Sequence, residues 1–232
     1  MEAGKTFVIG DIHGAFKALL QCLERSAFDY HRDTLICLGD VCDGWPETKE
    51  CVDELLKIKN LIYLMGNHDY WAVQWMKTGD IPDAWLLNGG QSTIDNYQNN
   101  HSAHLQFLEN ALDYYMIRNQ LFVHAGILHS TPFEDQGREI FLWDRTLFSE
   151  AWALKEAGKE KQLTEFEEIY IGHTPVHRFG YLHPIKACEV WMMDTGAGWD
   201  GFLHIMDTET KEYFGSDAVP QLYPSYPGRN MR

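Results

Sequence analysis

The most constraining feature of the sequence is a strand–helix scheme that repeats within its first seventy residues. Apolar runs with strand character occupy residues 6–10, 34–39 and 61–66, and segments with helical spacing of apolar residues, 15–27 and 47–58, lie between them. Strands that alternate with helices predict βαβ units, whose strands are parallel and buried on both faces. The chain is therefore expected to open with a largely parallel α/β sheet.

The remainder of the chain is predicted to return to strands after an irregular middle. Residues 69–110 and 130–164 are predicted to be helical or loop-rich, with strands predicted at 113–117, 120–124, 169–172, 190–194, 202–207 and 212–214. A length of 232 residues suits one α/β domain. We assign residues 1–219 to that domain and 220–232, which are rich in proline, to an irregular tail.

Composition limits the partners and the location that this chain is expected to have. The chain has 34 acidic and 19 basic residues, a formal charge of −15, so binding to a nucleic-acid backbone is disfavoured. No apolar run reaches the ~18 residues that a membrane span requires. The five cysteines form no CxxC pair, which favours a reduced, cytoplasmic protein.

Each of the first three predicted strands ends in a glycine that precedes side chains able to bind a metal. These are Asp11 and His13 in GDIHG, Asp40 and Asp43 in GDVCDG, and Asn67 and His68 in GNHD. Two later strand ends add His124 in VHAG and His173 in GHTP. Because the carboxyl ends of strands border the ligand crevice of an open α/β sheet, we expect these side chains to converge.

The collected side chains suit a pair of divalent cations. Carboxylate oxygens and neutral imidazole nitrogens bind manganese, iron or zinc. A shared carboxylate would hold two cations ~3.5–4 Å apart, and a hydroxide bridging them could attack phosphorus directly. Taken singly, each residue has a plainer interpretation: Asp11 or Asp40 as a helix cap, Asn67 as a turn residue and His124 as a buried core histidine.

Five motifs together carry a family resemblance. GDIHG, GDVCDG, GNHD, VHAG and GHTP occur in the order and spacing of the calcineurin-like metallophosphoesterase superfamily. The chain resembles most its bacterial and phage phosphoprotein phosphatase branch, which includes the lambda phage phosphatase and the symmetrical dinucleoside tetraphosphatases. WLLNGGQST, FLWDR and DTGAGWDG extend the resemblance over residues 5–217. It implies a four-layer α/β/β/α sandwich with two mixed β-sheets.

The resemblance also implies a role for each matching residue. It assigns Asp11 and His13 to a first metal, Asp40 to a bridge between two metals, and Asn67, His124 and His173 to the second. Manganese is the expected metal, with iron and zinc as alternatives. His68 would be the general acid, Asp43 would orient it, and Arg145 in FLWDR would clamp the phosphate.

One departure from the family pattern concerns the anion clamp. The family usually reads GDxxDRG at the second motif, and its arginine binds phosphate, whereas this chain has Gly44 followed by Trp45. Either substrate binding is weaker or different, or another cationic side chain takes the place of the missing arginine. The candidates for that side chain are Arg178, Arg138 and His177. An arginine restored at position 44 is expected to lower KM for an aryl phosphate. Trp45 is interpreted as a core residue or as a platform for a base or aryl group.

The expected function is metal-dependent hydrolysis of phosphomonoesters, as by a serine/threonine protein phosphatase, through a metal-bridging hydroxide. The substrate would be a phosphoprotein, a nucleotide or a small phosphoester. A symmetrical bis(5'-nucleosyl)-tetraphosphatase is the nearest alternative, and a nucleic-acid phosphodiesterase is disfavoured by the acidic charge. A non-catalytic phosphate-binding module is the alternative from another class, and Gly44 is its only support.

Overall fold

The computed structural model describes residues 4–98 and 102–230, and their strands form two five-stranded mixed sheets. The first sheet has the order β10 (Tyr213–Gly215), β9 (His204–Asp207), β1 (Thr6–Ile9), β2 (Thr34–Cys37) and β3 (Asn60–Tyr63). The second has the order β4 (Tyr114–Ile117), β5 (Gln120–Val123), β6 (Glu168–Ile171), β8 (Val190–Met192) and β7 (Ile185–Ala187). Residues 1–3, 99–101 and 231–232, which belong to the predicted domain, helical region and tail, lie outside the described residues.

Helices occupy most of the connections between strands. They are α1 (Phe16–Arg25), α2 (Thr48–Leu55), α3 (Asn67–Thr78), α4 (Asp83–Leu87), α5 (Gly90–Tyr97), α6 (Ser102–Glu109), α7 (Arg138–Trp143), α8 (Thr146–Glu156) and α9 (Val219–Leu222). Short 3₁₀ turns lie at Phe133–Asp135, Val176–Phe179 and Gly228–Asn230. No helix among the described residues is long and apolar enough to cross a membrane.

The sheets pack face to face because their strands are apolar on both sides. Successive strand residues point to opposite faces. Val8 of β1 and Ile36 of β2 therefore join Phe122 of β5 and Tyr170 of β6 in a core between the sheets. The rings of Phe122 and Tyr170 stack with centroids 4.7 Å apart.

Two further cores lie outside the pair of sheets. The opposite face of the first sheet buries residues such as Ile9 against α1, and that of the second buries residues such as Val123 against α8. The predicted four-layer α/β/β/α arrangement is thereby confirmed. β1, β2 and β3 are parallel in continuous register, as the opening strand–helix scheme predicts.

Two segments differ from the sequence-based expectation, whereas the stretch 130–164, predicted to be helical or loop-rich, contains two regular helices. Of these, α8 buries Leu147 and Phe148 on its inner face. β7 was not anticipated, because three residues that include the half-buried Lys186 are too few for an alternating pattern. The tail begins with α9 and packs on the body of the fold, where the ring of Tyr223 stacks on that of Trp45 at 5.1 Å.

Candidate active site

The carboxyl ends of strands from both sheets meet at one edge of the sandwich. Asp11 follows β1, Asp40 follows β2, and Asn67 begins α3 after β3. From the second sheet, His124 follows β5 and His173 follows β6. All six predicted metal-binding side chains, His13 included, are buried here, beside a cavity of about 280 Å³.

The first group of side chains is built around His13. Its Nε2 lies 3.9 Å from Oδ2 of Asp11 and 3.8 Å from Oδ2 of Asp40. Its Nδ1 lies 2.9 Å from the carbonyl oxygen of Cys42 and donates its proton there. This bond leaves the lone pair on Nε2 directed at the two carboxylates, which is how a second partner fixes a metal-binding imidazole.

The second group is built around Asn67. Its Oδ1 lies 2.9 Å from Nε2 of His124 and 2.8 Å from Nδ1 of His173. His124 is held by a 2.8 Å hydrogen bond from Nδ1 to the carbonyl oxygen of Leu38. Nε2 of His124 also lies 3.4 Å from Oδ2 of Asp40, so one carboxylate oxygen faces both groups.

The electrostatics of both groups favour a bound cation. Burial, followed by the nearby carboxylate of Asp194, raises the pKa of Asp11 well above its ordinary value. Burial also raises the pKa of Asp40 and lowers the pKa of His124 to about 3. Crowded carboxylates beside neutral imidazoles are the donor set of a divalent cation, and oxygen with nitrogen ligands fits manganese, iron and zinc alike.

The donor atoms also lie close enough together for metal binding. Candidate ligand atoms of Asp40, His124 and His173 all lie within 4.8 Å of one another, and so do those of His13, Asp40 and His68. The two sets share Asp40. The residues present therefore fit two divalent cations on either side of one carboxylate.

His68 is held by a buried carboxylate. Its Nδ1 lies 2.6 Å from Oδ2 of Asp43, which also accepts a 2.7 Å hydrogen bond from Nε1 of Trp85. Oδ1 of Asp43 accepts the hydroxyl of Thr93 at 2.7 Å. Burial raises the pKa of Asp43 to about 7, although these two donors lower it, and burial lowers the pKa of His68. Asp43 thus fixes the ring so that Nε2 faces the cavity.

The backbone of the site adopts conformations that side chains other than glycine disfavour. His13, Asp40, Asp43 and His173 have φ values of 51°, 54°, 72° and 64°. Such left-handed residues are uncommon and cluster at functional sites. Gly66 permits the close approach of the second and third strand ends, because a Cβ there would lie 2.0 Å from Oδ1 of Asp40.

Asp69 organises the turn that carries Asp40, a role that the sequence analysis did not assign. Its carboxylate accepts the backbone N–H groups of Asp40 at 2.7 Å, Val41 at 3.0 Å and Cys42 at 3.1 Å. It also accepts the hydroxyl of Tyr63 at 2.7 Å. Its place directly after Asn67-His68 in GNHD was the available signal, since an acidic residue in the first turn of a helix commonly caps it.

The predicted replacements for the missing arginine are found in different surroundings. Of the three candidates, Arg178 lines the cavity, as does Arg145, the predicted phosphate clamp. Arg138 instead pairs with Asp113 at 2.6 Å on the exposed surface, and Nε2 of His177 lies 3.1 Å from Asp200. Those two residues are therefore poor candidates for the anion clamp.

A residue that the sequence analysis did not consider enters the cavity. Arg229, in the tail, places Nη1 3.2 Å from Nε2 of His13 and Nη2 3.0 Å from Nε2 of His68. No spacing in the sequence connects a tail residue with motifs near the first strands. Trp45 is fully buried under the tail, so the interpretation of its ring as a platform for substrate is wrong.

Comparison with known proteins gives one family. A family profile described as calcineurin-like phosphoesterase matches residues 4–199. The chain is 27% identical to a serine/threonine-protein phosphatase 1 of Salmonella typhimurium over 203 residues, which cover 85% of this chain and 88% of that protein.

A shorter sequence match and a match of the fold are also found. The chain is 28% identical to a symmetrical bis(5'-nucleosyl)-tetraphosphatase of Pseudomonas fluorescens over 129 residues, 53% of this chain and 43% of that protein. The fold matches the crystal structure of a provisionally assigned diadenosine tetraphosphatase with a TM-score of 0.69 and 17% identity, covering 92% of this chain and 93% of that one.

Proposed function

The chain belongs to the calcineurin-like phosphoesterase family, and on that premise we propose that it is a metal-dependent phosphomonoesterase of the serine/threonine protein phosphatase type. The observation that carries the proposal is the position of Asp40. Its Oδ2 lies 3.8 Å from Nε2 of His13 and 3.4 Å from Nε2 of His124, so this oxygen stands between the two groups of potential ligands.

In this proposal the six buried side chains hold two divalent cations. The first is held by Asp11, His13 and Asp40, and the second by Asp40, Asn67, His124 and His173. When bound, such a pair polarises a phosphoryl oxygen and lowers the pKa of water. Manganese is proposed as the native metal, in line with the family resemblance, and iron and zinc fit the same donor set. A cytoplasmic location is proposed from the unpaired state of all five cysteines.

The protein's own groups would do the remaining chemistry. We assign to Nε2 of His68 the transfer of a proton to the leaving oxygen, because the opposite nitrogen is anchored to Asp43 at 2.6 Å. Arg145 lines the same cavity and would bind a phosphate oxygen through its planar fork. Each group thus orients the substrate or moves a proton at a defined atom.

The size of the site favours a monoester. A cavity of about 280 Å³ is at the small end of ligand sites and suits one phosphoryl group with part of its leaving group. The longer match also favours a monoester, since it spans 88% of the Salmonella protein phosphatase against 43% of the Pseudomonas tetraphosphatase.

A symmetrical dinucleoside tetraphosphatase is the second candidate. The rings of Trp71 and Trp143 both line the cavity and contact each other at 4.8 Å. Such rings could stack on a nucleobase that extends beyond the phosphate site. The cavity therefore supports a nucleotide leaving group as well as a phosphopeptide.

A substrate comparison separates these functions. The full chain, stripped of metal and then loaded with Mn²⁺, Fe²⁺ or Zn²⁺, is given a phosphothreonine peptide, p-nitrophenyl phosphate, bis-p-nitrophenyl phosphate and diadenosine tetraphosphate. We expect metal-dependent phosphate release from the two monoesters. Cleavage of the tetraphosphate alone would establish the second candidate. Metal and phosphate binding without any turnover would indicate a non-catalytic module.

Substitution of the proposed acid gives a second test. His68→Asn should lower kcat by about 10²- to 10⁴-fold, the usual contribution of a general acid, while two metals per chain remain bound. His31→Asn, at an exposed histidine of the loop before β2, serves as the matched control. A His68→Asn enzyme with unaltered kcat and full metal content would remove His68 from the mechanism.

A further inference from the structure

The tail places a cation inside the cavity, where no described carboxylate forms an ion pair with it. The guanidinium of Arg229 lies 4.5 Å above the ring of Trp199, and its Nη atoms lie within hydrogen-bonding distance of Nε2 of His13 and of His68. Among residues 4–98 and 102–230 no carboxylate oxygen lies within 4.0 Å of it, and its buried Nε–H has no acceptor. Arg229 is half-buried, and burial lowers its pKa, which is raised, without an ion pair, by the carboxylates of Asp43, Asp40, Asp194 and Asp11. An anion that entered the cavity would give the guanidinium a direct partner.

The space for this side chain is created by a glycine. Gly44 has φ +98°, and a Cβ at this position would lie 3.3 Å from both Cγ and Cδ of Arg229. On the other side of the Arg229 side chain, a Cβ at Gly89 would lie 3.1 Å from Cγ of Arg229. The expectation that an arginine restored at position 44 lowers KM conflicts with this geometry, because the stem of Arg229 occupies the space.

The residue after that glycine holds the tail in place. The indole of Trp45 is fully buried, donates a 2.7 Å hydrogen bond from Nε1 to the carbonyl oxygen of Ala197, and stacks on Tyr223 at 5.1 Å. Its ring lies 6.1 Å from that of Tyr226, and a Cβ at Gly228 would approach it to 2.9 Å. Gly44 and Trp45 therefore act together: one leaves room for Arg229, and the other seats the segment that delivers it.

We propose that Arg229 is a substrate-binding residue of this site, delivered by the tail. Its Nη atoms would donate to a phosphate oxygen in place of Nε2 of His13 and of His68, which would then bind a metal and carry the acidic proton, respectively. The inference rests on the proposed phosphomonoesterase function. A guanidinium offers planar, paired donors that match phosphate oxygens. Contact with Nε2 of His68 places the bound oxygens beside the group that would protonate the leaving atom.

Substitution of Arg229 tests the proposal with inorganic phosphate as the probe. In the Mn²⁺-loaded full chain, Arg229→Gln should weaken phosphate binding in calorimetry and raise KM for p-nitrophenyl phosphate, each by about 10- to 100-fold. Arg229→Lys should retain part of the affinity, because the charge remains and the fork is lost. Arg118→Gln, at an exposed turn on the opposite end of β5, is the matched control.

A double-mutant cycle provides an independent measurement. Gly44→Ala crowds the stem of Arg229, so its effect on phosphate affinity should largely disappear when Arg229→Gln is already present. Melting temperature and metal content are recorded for each variant, so that loss of folding is not mistaken for loss of binding. Additive effects of the two substitutions would show that Gly44→Ala acts through its strained backbone or through the carbonyl oxygen of His13, which a Cβ would approach to 3.2 Å, and would overturn the role of Gly44 in making room for Arg229.

The outcomes separate this inference from the function on which it rests. Absence of monoester turnover in the wild-type chain contradicts the proposed function. Normal turnover with Arg229→Gln indistinguishable from Arg118→Gln contradicts only the role of Arg229. An increase in turnover or phosphate affinity on substitution would identify the tail as an inhibitory segment, and would equally overturn a substrate-binding role.

Discussion

At the scale of single residues, the environment of His68 is defined by the partners of Asp43. This carboxylate accepts one bond each from Trp85 and Thr93 and retains a 2.6 Å contact with Nδ1 of His68. Trp85 and Thr93 both belong to WLLNGGQST, a motif recognisable in the sequence but without an assignable role there. Their contribution depends on a distance across the fold that spacing along the chain does not reveal.

We predict that the loss caused by Asp43→Asn depends on the leaving group. An amide anchors the imidazole less firmly, and loss of such an outer partner typically costs about 10- to 100-fold in activity. The decrease in kcat should be larger for an alkyl phosphate, whose leaving oxygen needs a proton, than for p-nitrophenyl phosphate. Steady-state kinetics with both substrates measures this, and equal losses would indicate that Asp43 does not act through proton transfer.

At the scale of elements, the turn after β2 depends on the first turn of α3. Asp69 accepts three successive backbone N–H groups of that turn, and its Oδ2 also accepts the N–H of Gly66 at 3.1 Å. The turn that carries Asp40 is therefore held in part by a side chain of α3. A substitution of Asp69 in α3 should consequently change the position of Asp40, a proposed metal ligand.

Asp69→Asn should affect both stability and metal binding. An amide presents a single acceptor atom, so buried N–H groups lose their partner, at a cost of about 1–3 kcal/mol in the free energy of unfolding. Mn²⁺ affinity should fall by about 10- to 100-fold, because Asp40 is no longer held. Urea unfolding of the metal-free chain and metal titration measure the two effects.

An exposed residue beyond the opposite end of α3 provides the control for this prediction. Asp80→Asn, just after α3, changes the same functional group in solvent and should leave both quantities unchanged. Weakened metal binding by Asp69→Asn without any loss of stability would contradict the view that Asp69 acts by holding the backbone.

The elements themselves differ in how far the sequence predicts them. β1, β2 and β3 were predictable because each is an apolar run that ends in glycine and polar side chains. β7 was not, since its neighbours rather than its own pattern make it a strand. The placement of Arg229 depends on the packing of Tyr223 against Trp45, two residues far apart in the chain, and no local rule links them.

At the scale of the whole molecule, stability is expected to depend on pH through histidines that are buried without charge. Nδ1 of His204, outside the metal-binding groups, donates a 2.8 Å hydrogen bond to Oγ1 of Thr195, whose hydroxyl donates to the carbonyl oxygen of Phe202. Burial lowers the pKa of His204 from 6.5 to about 4. Between these values the unfolded chain binds more protons than the native one. The contribution is thus fully present above pH 6.5 and is lost as the pH falls towards 4.

The predicted consequence is a smaller acid sensitivity in His204→Gln. Between pH 7 and pH 5, the metal-free wild-type chain should lose about 2 kcal/mol more of its free energy of unfolding than the variant does. Urea unfolding at the two pH values measures this difference, with His31→Gln as the exposed control. Equal pH dependence in wild type and His204→Gln would mean that His204 is protonated in the native state.

The convergence of the metal-binding groups depends on the whole fold and was predicted in part from the sequence. Strands that alternate with helices place their carboxyl ends together, so Asp11, Asp40 and Asn67 could be expected to meet. His124 and His173 were expected at the site from their positions at predicted strand ends, whereas their place on a second, opposing sheet came only from the family resemblance. The distances that place one oxygen of Asp40 between both groups required the three-dimensional structure.

The left-handed backbone of His13, Asp40, Asp43 and His173 has a consequence for laboratory evolution. At such positions glycine relieves strain at little conformational cost in the native state. A library screened only for heat tolerance should therefore accept glycine more readily at Asp40, whose buried and crowded carboxylate is costly, than at Asp43, whose loss leaves Trp85 and Thr93 without an acceptor, and it would become inert as it becomes more robust. A screen for durable variants of this protein has to score turnover in the same round.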